Sequence, residues 1–564
     1  MSGGIPDYLI VGGGSAGAVL ASRLSEDPKV RVLLVEAGAD TPPGAVPSDI
    51  ADIFPSSSLN PDYFWPGLLA RRRAADSAPL SYPQARIMGG GSSIMGMWAL
   101  RGVPSDFDAW VKAGADGWGP SDLVKYYRRL ENDLDRDQSQ SKPGRYRIRR
   151  VPHGEWPAFA AAMERAAVAR GLDNIGDINE EARAGFFPMP VSQSASGRSS
   201  SASTYLSSEV RRRPNLQIMA DTLVTALRFD GLRAVGAKVR RGGETVAIDA
   251  REVILSAGAI HSPAMLMHAG IGPADELKRL GIAPLADRRG VGRNLQNHPY
   301  LNIALTLPPQ SRMNENLRHF AIAGMRVSSG LEDCPPADLM VFAIGRVSGR
   351  SWGSSLAMVG ASVYAPFSRG HVTLNSPDID VRPAVTFSLL QDPRDPPRMV
   401  QAARFAESLL METAVNETFN DAFLLPPIMA LNQFDRPGVM GSIMGQAAKL
   451  VLNAPASVSR WALSRMLQPG RWIGNRQGRT ALSDDEILSA VAPMGHVTST
   501  CSMGRRDDPM AVVDNTCRLY GVENLRVVDA SVMPSVPSAN TNLTTMMIAE
   551  RAAEMIASKA GTRH

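Results

Sequence analysis

The chain has 564 residues, 44% of them apolar, which exceeds what one compact core fills and leads us to expect two interlocked lobes. Its 60 basic and 55 acidic side chains give a net charge of only +5, with no basic stripe of the kind a nucleic-acid-binding domain presents. Three scattered cysteines exclude a disulfide scaffold or a thiolate metal site, and no apolar run of 18 residues marks a transmembrane span. The opening residues Met1–Asp7 carry no basic stretch of the secretory kind, so a cytoplasmic location is expected.

In chain order, Asp7-Tyr-Leu-Ile-Val-Gly12 reads as a buried parallel strand, followed by Gly12-Gly13-Gly14-Ser15-Ala16-Gly17 and a helix-period segment. A second strand, 30–35, ends at Glu36, 19 residues after Gly17. In this setting Gly12 permits the tight turn, Gly14 lets backbone approach a diphosphate, and Gly17 lets helix pack on strand. Amides of Ser15 and Ala16 open the helix beneath the phosphates, and Glu36 accepts from ribose hydroxyls. A dinucleotide site follows. The motif leaves NAD and FAD open, while Glu36 disfavours a 2′-phosphate.

Residues 40–82 read as extended cover over the first lobe. A second glycine cluster, Met88–Met97, places Gly91, Met95 and Gly96 where backbone passes close to a flat or charged ligand, although an ordinary glycine-rich loop has the same composition. Short helices at 106–110 and 118–125 are expected on the outside. Strands are expected at 216–219, 223–229, 235–240, 245–248 and 251–255, then a helix over 260–269. Later strands fall at 356–364, 371–374 and 385–389, with a helix over 396–410. The apolar stretch 439–467 reads first as a packed lid or domain surface, then as a subunit contact, and last as a membrane-surface contact. Near the end, 524–529 is a strand closing on Asp529, and Asn540-Thr541-Asn542 starts a polar-capped helix.

His496, in Pro493-Met-Gly-His-Val-Thr-Ser, has no ligand-spaced partner. It reads either as a catalytic base or as a satisfied structural histidine, and no metal site is expected. No phosphate-binding P-loop or serine-hydrolase elbow assembles.

Together these segments resemble the glucose–methanol–choline (GMC) family of FAD-dependent oxidoreductases over nearly the whole chain. The matching blocks are Gly12–Gly17 with Glu36, Gly89–Met97 running to Arg101-Gly102, Gly258–Pro263, Gly270–Pro273, Val291–His298, the His496 segment and Asp529–Glu550. Within the family the wording of Gly89–Ser93 and Ser538–Thr545 is most similar to bacterial oxidases of aryl or furan primary alcohols. The resemblance implies an α/β fold, with a Rossmann-like FAD-binding lobe and an interleaved α+β substrate-binding lobe on a six-stranded antiparallel sheet. The FAD lobe would take 1–150, 214–300 and 491–564; the substrate lobe would take 151–213 and 301–490.

It further implies FAD as cofactor and oxidation of an uncharged aryl, furan or medium-chain primary alcohol to an aldehyde. His496 would take the hydroxyl proton while hydride passes to flavin N5, and Asn542 would hold the alcohol oxygen. Val224 resembles a position beside adenine; Asp529, Ala530 and Thr541 resemble positions near the pyrophosphate or flavin. His298 is expected in a supporting or structural role and His261 in packing. Ile94 stands where members with covalent FAD carry histidine, so noncovalent FAD is expected. Met95 stands where many members carry asparagine, and a thioether cannot donate that hydrogen bond. Oxygen or a quinone would reoxidise the cofactor, in a monomer or homodimer. The alternatives are a sugar, choline-like or polyether alcohol with a quinone-type acceptor, or a flavin-binding scaffold with little turnover.

Overall fold

Two sheets organise the chain. The computed structural model describes residues 4–560 apart from 74–77, 137–142, 196, 426–434, 436–437, 467–470, 476–477 and 480. In the first sheet five parallel strands stand in the order Leu216–Met219, Val32–Val35, Tyr8–Val11, Glu252–Leu255, Leu525–Val527. Tyr8–Val11 and Val32–Val35 are buried at every position, which is why they read as continuous apolar runs rather than alternating ones. The helix Ser15–Leu24 leaves the first strand and packs along the closing helix Thr541–Ala560. Across that contact Arg23 Nε donates to Glu550 at 2.9 Å, and the Tyr205 hydroxyl donates to the same carboxylate at 2.5 Å. Three antiparallel strands, Leu223–Asp230, Arg233–Arg241 and Glu244–Asp249, form an inserted hairpin sheet.

The second sheet is antiparallel and larger than expected. Six strands run in the order Gly185–Pro188, Ala321–Val327, Leu339–Ile344, Leu356–Val363, Pro299–Thr306, Asp421–Leu424. The hairpin Arg471–Asn475 and Gly478–Arg479 then extends the Asp421–Leu424 edge, so eight strands lie along the path among the described residues. Ala492–Pro493 adds a short side pairing on Pro299–Thr306, immediately before the loop carrying His496.

Other expectations change on packing. The helices Pro104–Lys112 and Pro120–Leu130 lie outside with one exposed face each, but they are anchored inward: Trp110 and Trp118, the latter just before the second helix, are buried beside the closing segments. Their indole N–H groups donate to the Ser535 and Asn515 carbonyls at 3.0 and 2.9 Å. The cover segment contributes Leu69–Arg71 and Leu80–Ser81 to a small four-stranded sheet with His371–Thr373 and Ala384–Thr386. The stretch 439–467 forms helices Val439–Asn453 and Ala456–Met466, with residue 467 outside the described residues. Val439, Leu450 and Trp461 are exposed there. Among the described residues no helix is long and apolar enough to cross a membrane.

Candidate active site

The glycine turn is built by steric need. Gly12 has φ +102°, and a Cβ there would lie 2.5 Å from the Ser256 carbonyl oxygen; at Gly17 a Cβ would lie 1.9 Å from the Gly12 carbonyl oxygen. Gly17 therefore supports the turn from behind. At Gly14 the nearest atom to such a Cβ would be the Gly90 Cα at 3.9 Å, so this position opens toward a cavity where the two glycine segments face each other. Glu36 is buried and accepts from the Gly13 and Gly38 amides at 2.7 and 2.8 Å. Burial pushes its carboxyl up, against those two amides, which pull it down.

One cavity of about 690 Å³ joins the two lobes. Glu36, Val224, Trp65 and His261 line one part, and Gly12, Gly14, Ser15, Ala16 and Gly91 line the turn region. Asp529, Ala530, Thr541 and Asn542 also border it, as do Met95 and Gly96 beside His496. The Asp529 carboxylate is pushed up by burial, while Ser262, Ser531 and the Gly258 amide hold it in place. Its work is to join strand end to turn. His261 stacks on Trp65 at 4.3 Å, and burial drops its pKa to about 3, so it is a neutral packing ring.

At the opposite part of the cavity, Trp98, Tyr300, Phe320, Phe342 and Met358 wall a space reached by His496. Two residues of the 291–298 block hold that histidine. Asn297 Nδ2 donates to the Met494 carbonyl at 2.5 Å, while its Oδ1 accepts from the His496 backbone amide at 3.3 Å. His298 meets the ring, Nδ1 to Nδ1, at 2.8 Å, and its Nε2 meets the Tyr364 carbonyl at 3.0 Å. The ring of His298 stacks on Tyr364 at 4.4 Å and 5°. Burial lowers the His496 pKa to about 4. Burial, then the neighbouring His496, holds His298 well below the ordinary range, against the Tyr364 and Pro537 carbonyls.

The structure separates Asn542 from this centre. Its Oδ1 accepts from the Ser15 hydroxyl at 2.6 Å and its Nδ2 donates to the Tyr146 hydroxyl at 2.8 Å, so it ties the closing helix to the dinucleotide turn. Asn540 stands at the histidine instead, with Nδ2 3.0 Å from His496 Nε2 and Oδ1 accepting from the Tyr364 hydroxyl at 3.1 Å. Residues two apart at a helix start point about 200° apart, so one of two identical amides can face the histidine and the other cannot. The expectation for Asn542 is corrected accordingly. A signal for Asn540 was present: it directly precedes the first helical residue, Thr541, where a side chain is released from the helix face.

Sequence profiles described as GMC oxidoreductase match residues 6–300 and 366–549. The chain belongs to the GMC oxidoreductase family. It is 38% identical to a 5-(hydroxymethyl)furfural oxidase from Methylovorus sp. (strain MP688), covering 99% of this chain and 100% of that one. It is 33% identical to the mitochondrial choline dehydrogenase of Homo sapiens, over 97% and 89% of the two chains. Among solved structures, pyridoxine 4-oxidase from Mesorbium loti matches with TM-score 0.78 and 27% identity, covering 98% of this chain and 99% of that one. GMC membership makes this protein an FAD-dependent oxidoreductase acting on an alcohol-type substrate. The cradle fits the cofactor: the open side of Gly14, the facing Gly90 and the start of the Ser15–Leu24 helix meet in one channel, with the buried Glu36 at its wall.

Proposed function

We propose that this protein oxidises an uncharged aryl or furan primary alcohol to the aldehyde, using noncovalent FAD. The observation carrying this reading is the pairing of His496 Nε2 with the Asn540 amide at the edge of an aromatic-walled cavity. The low pKa of His496 keeps its imidazole neutral at ordinary pH, as a base requires. His496 Nε2 takes the hydroxyl proton, and Asn540 Nδ2 donates to the alcohol oxygen as negative charge gathers there. FAD, when bound, supplies the acceptor for the hydride lost by the carbinol carbon.

Aromatic faces accept a flat ring or a quaternary ammonium alike, so the carboxylates are what favour an uncharged substrate. The carboxylates lining the described cavity are Glu36 and Asp529, and both are occupied by backbone amides. A quaternary ammonium would meet no free carboxylate there. The similarity to a 5-(hydroxymethyl)furfural oxidase supports the same choice of substrate class. Noncovalent FAD is supported by Ile94 and Met95, whose side chains offer no imidazole or carboxylate for a bond to the flavin.

Anaerobic mixing with benzyl alcohol, hydroxymethylfurfural, choline and glucose tests the reading. We expect the flavin colour to bleach with the first two and to persist with the others; bleaching by choline alone would refute it. Admitting air afterwards separates oxygen from a quinone as the acceptor. Flavin that stays with the denatured polypeptide would refute noncovalent binding.

A further inference from the structure

We infer that His298 is a positioning residue that fixes the tautomer of the catalytic histidine, within a closed hydrogen-bond circuit that starts and ends on Tyr364. The argument is one of donors and acceptors. The Tyr364 carbonyl can only accept, so His298 Nε2, 3.0 Å away, carries a proton. His298 is buried in surroundings that oppose its charged form, so it is neutral and its Nδ1 is bare. The atom facing that lone pair, His496 Nδ1 at 2.8 Å, must then carry a proton, since two bare nitrogens would repel at this distance. A neutral His496 protonated on Nδ1 leaves Nε2 bare, and Nε2 is the atom beside the Asn540 amide nitrogen.

The remaining half closes in the same direction. Asn540 Nδ2 donates to His496 Nε2, and Asn540 Oδ1 accepts from the Tyr364 hydroxyl. Turning the amide over would put its oxygen against the bare Nε2, a repulsive contact that the circuit forbids. Every bond thus runs head to tail: Tyr364 hydroxyl, Asn540, His496, His298, Tyr364 carbonyl. Such chains polarise one another. Tyr364 reaches both ends because it immediately follows the strand Leu356–Val363, with its ring stacked against His298 and its hydroxyl extended to Asn540.

The consequence is chemical. In the resting state the base already holds Nε2 without a proton, its lone pair engaged by the Asn540 amide, so no tautomer change is needed before the alcohol displaces that contact and the proton is taken. When Nε2 gains the hydroxyl proton, the imidazolium keeps its Nδ1–H bond to a neutral acceptor. An anionic carboxylate in that place would strengthen the base; a buried imidazole orients it while leaving its pKa low.

This inference rests on His496 being the base, and its test is arranged to fail separately. In the holoenzyme, His298→Asn keeps an acceptor near the Nδ1 position, and His298→Leu removes it. With saturating benzyl alcohol under anaerobic conditions, we expect His298→Leu to slow flavin reduction about 100-fold with less than a threefold change in KM. His298→Asn should recover at least tenfold of that loss. Equal impairment in both variants, or a wild-type rate in His298→Leu, would overturn the inference while leaving His496 as base. An unchanged rate in His496→Ala would overturn the base itself. Nitrogen-15 NMR of histidine-labelled holoenzyme, with His496 assigned by its loss in His496→Gln, decides without turnover and without a variant at 298. We expect protonated Nδ1 and bare Nε2; the opposite tautomer would refute the circuit.

Discussion

Asn540 and Asn542 carry the same side chain two positions apart, and the structure gives them unrelated tasks. Asn540→Ala removes the donor proposed for the alcohol oxygen, so the flavin-reduction rate should fall about 100-fold with cofactor content unchanged. Asn542→Ala breaks the link from Ser15 to Tyr146 and should act on FAD retention, measured by its dissociation, more than on reduction. The reverse pattern would return the substrate contact to Asn542. His496, lowered to about 4 by burial, must be unprotonated to serve as the proposed base. The reduction rate should therefore stay level from pH 8 to about 5.5 and fall about tenfold per unit once pH drops below about 4. A midpoint near 6.5 would show an imidazole with ordinary solvent access. At this scale the sequence singled out the His496 segment through its block but not the groups that meet it. His298 and Tyr364 lie 198 and 132 positions from His496, and nothing local in either segment announces that they meet.

The glycine turn shows what a motif tells and what it hides. Its three glycines read as one signature, yet each is required for a different reason. Gly17→Ala would drive a Cβ into the Gly12 carbonyl, costing about 1–3 kcal/mol or more even without cofactor. Gly14 has φ −72° and open space before it, so Gly14→Ala should leave the melting temperature of the deflavinated protein unchanged. The same change should weaken FAD binding, because the methyl occupies the channel. Thermal melts of both variants with and without FAD test this, and equal destabilisation of the two apoproteins would contradict it. The strands of the parallel sheet were legible because burial on both faces leaves uninterrupted apolar runs. The paired strands Arg471–Asn475 and Gly478–Arg479 were not, since Arg471-Trp-Ile-Gly-Asn475 is short, mixed in polarity and at a sheet edge.

Neither lobe is a continuous stretch of chain. The first sheet takes strands from residues 8–35, 216–255 and 525–527, and the second takes its first strand from 185–188 before the chain returns to the first sheet. The helices that open at the cavity, Ser15–Leu24 and Thr541–Ala560, are joined by Ser15–Asn542 and Arg23–Glu550. Unfolding either lobe therefore dismantles the other's site. Flavin release and loss of tryptophan fluorescence should follow one coincident thermal transition, and two separated transitions would contradict interleaving as a source of cooperativity. Resemblance across the blocks made this shared architecture legible, but residues 439–467 read first as a lid or domain surface without excluding a subunit or membrane contact. Their exposed apolar side chains are spread over two helices with polar residues between them.

The most direct measurement is anaerobic rapid mixing of benzyl alcohol with the wild-type holoenzyme and with His496→Ala at equal FAD occupancy, following the flavin absorbance. Transfer of the hydroxyl proton to His496 predicts that the variant reduces its flavin at least about 100-fold more slowly. Reduction at the wild-type rate would mean that the proton goes elsewhere.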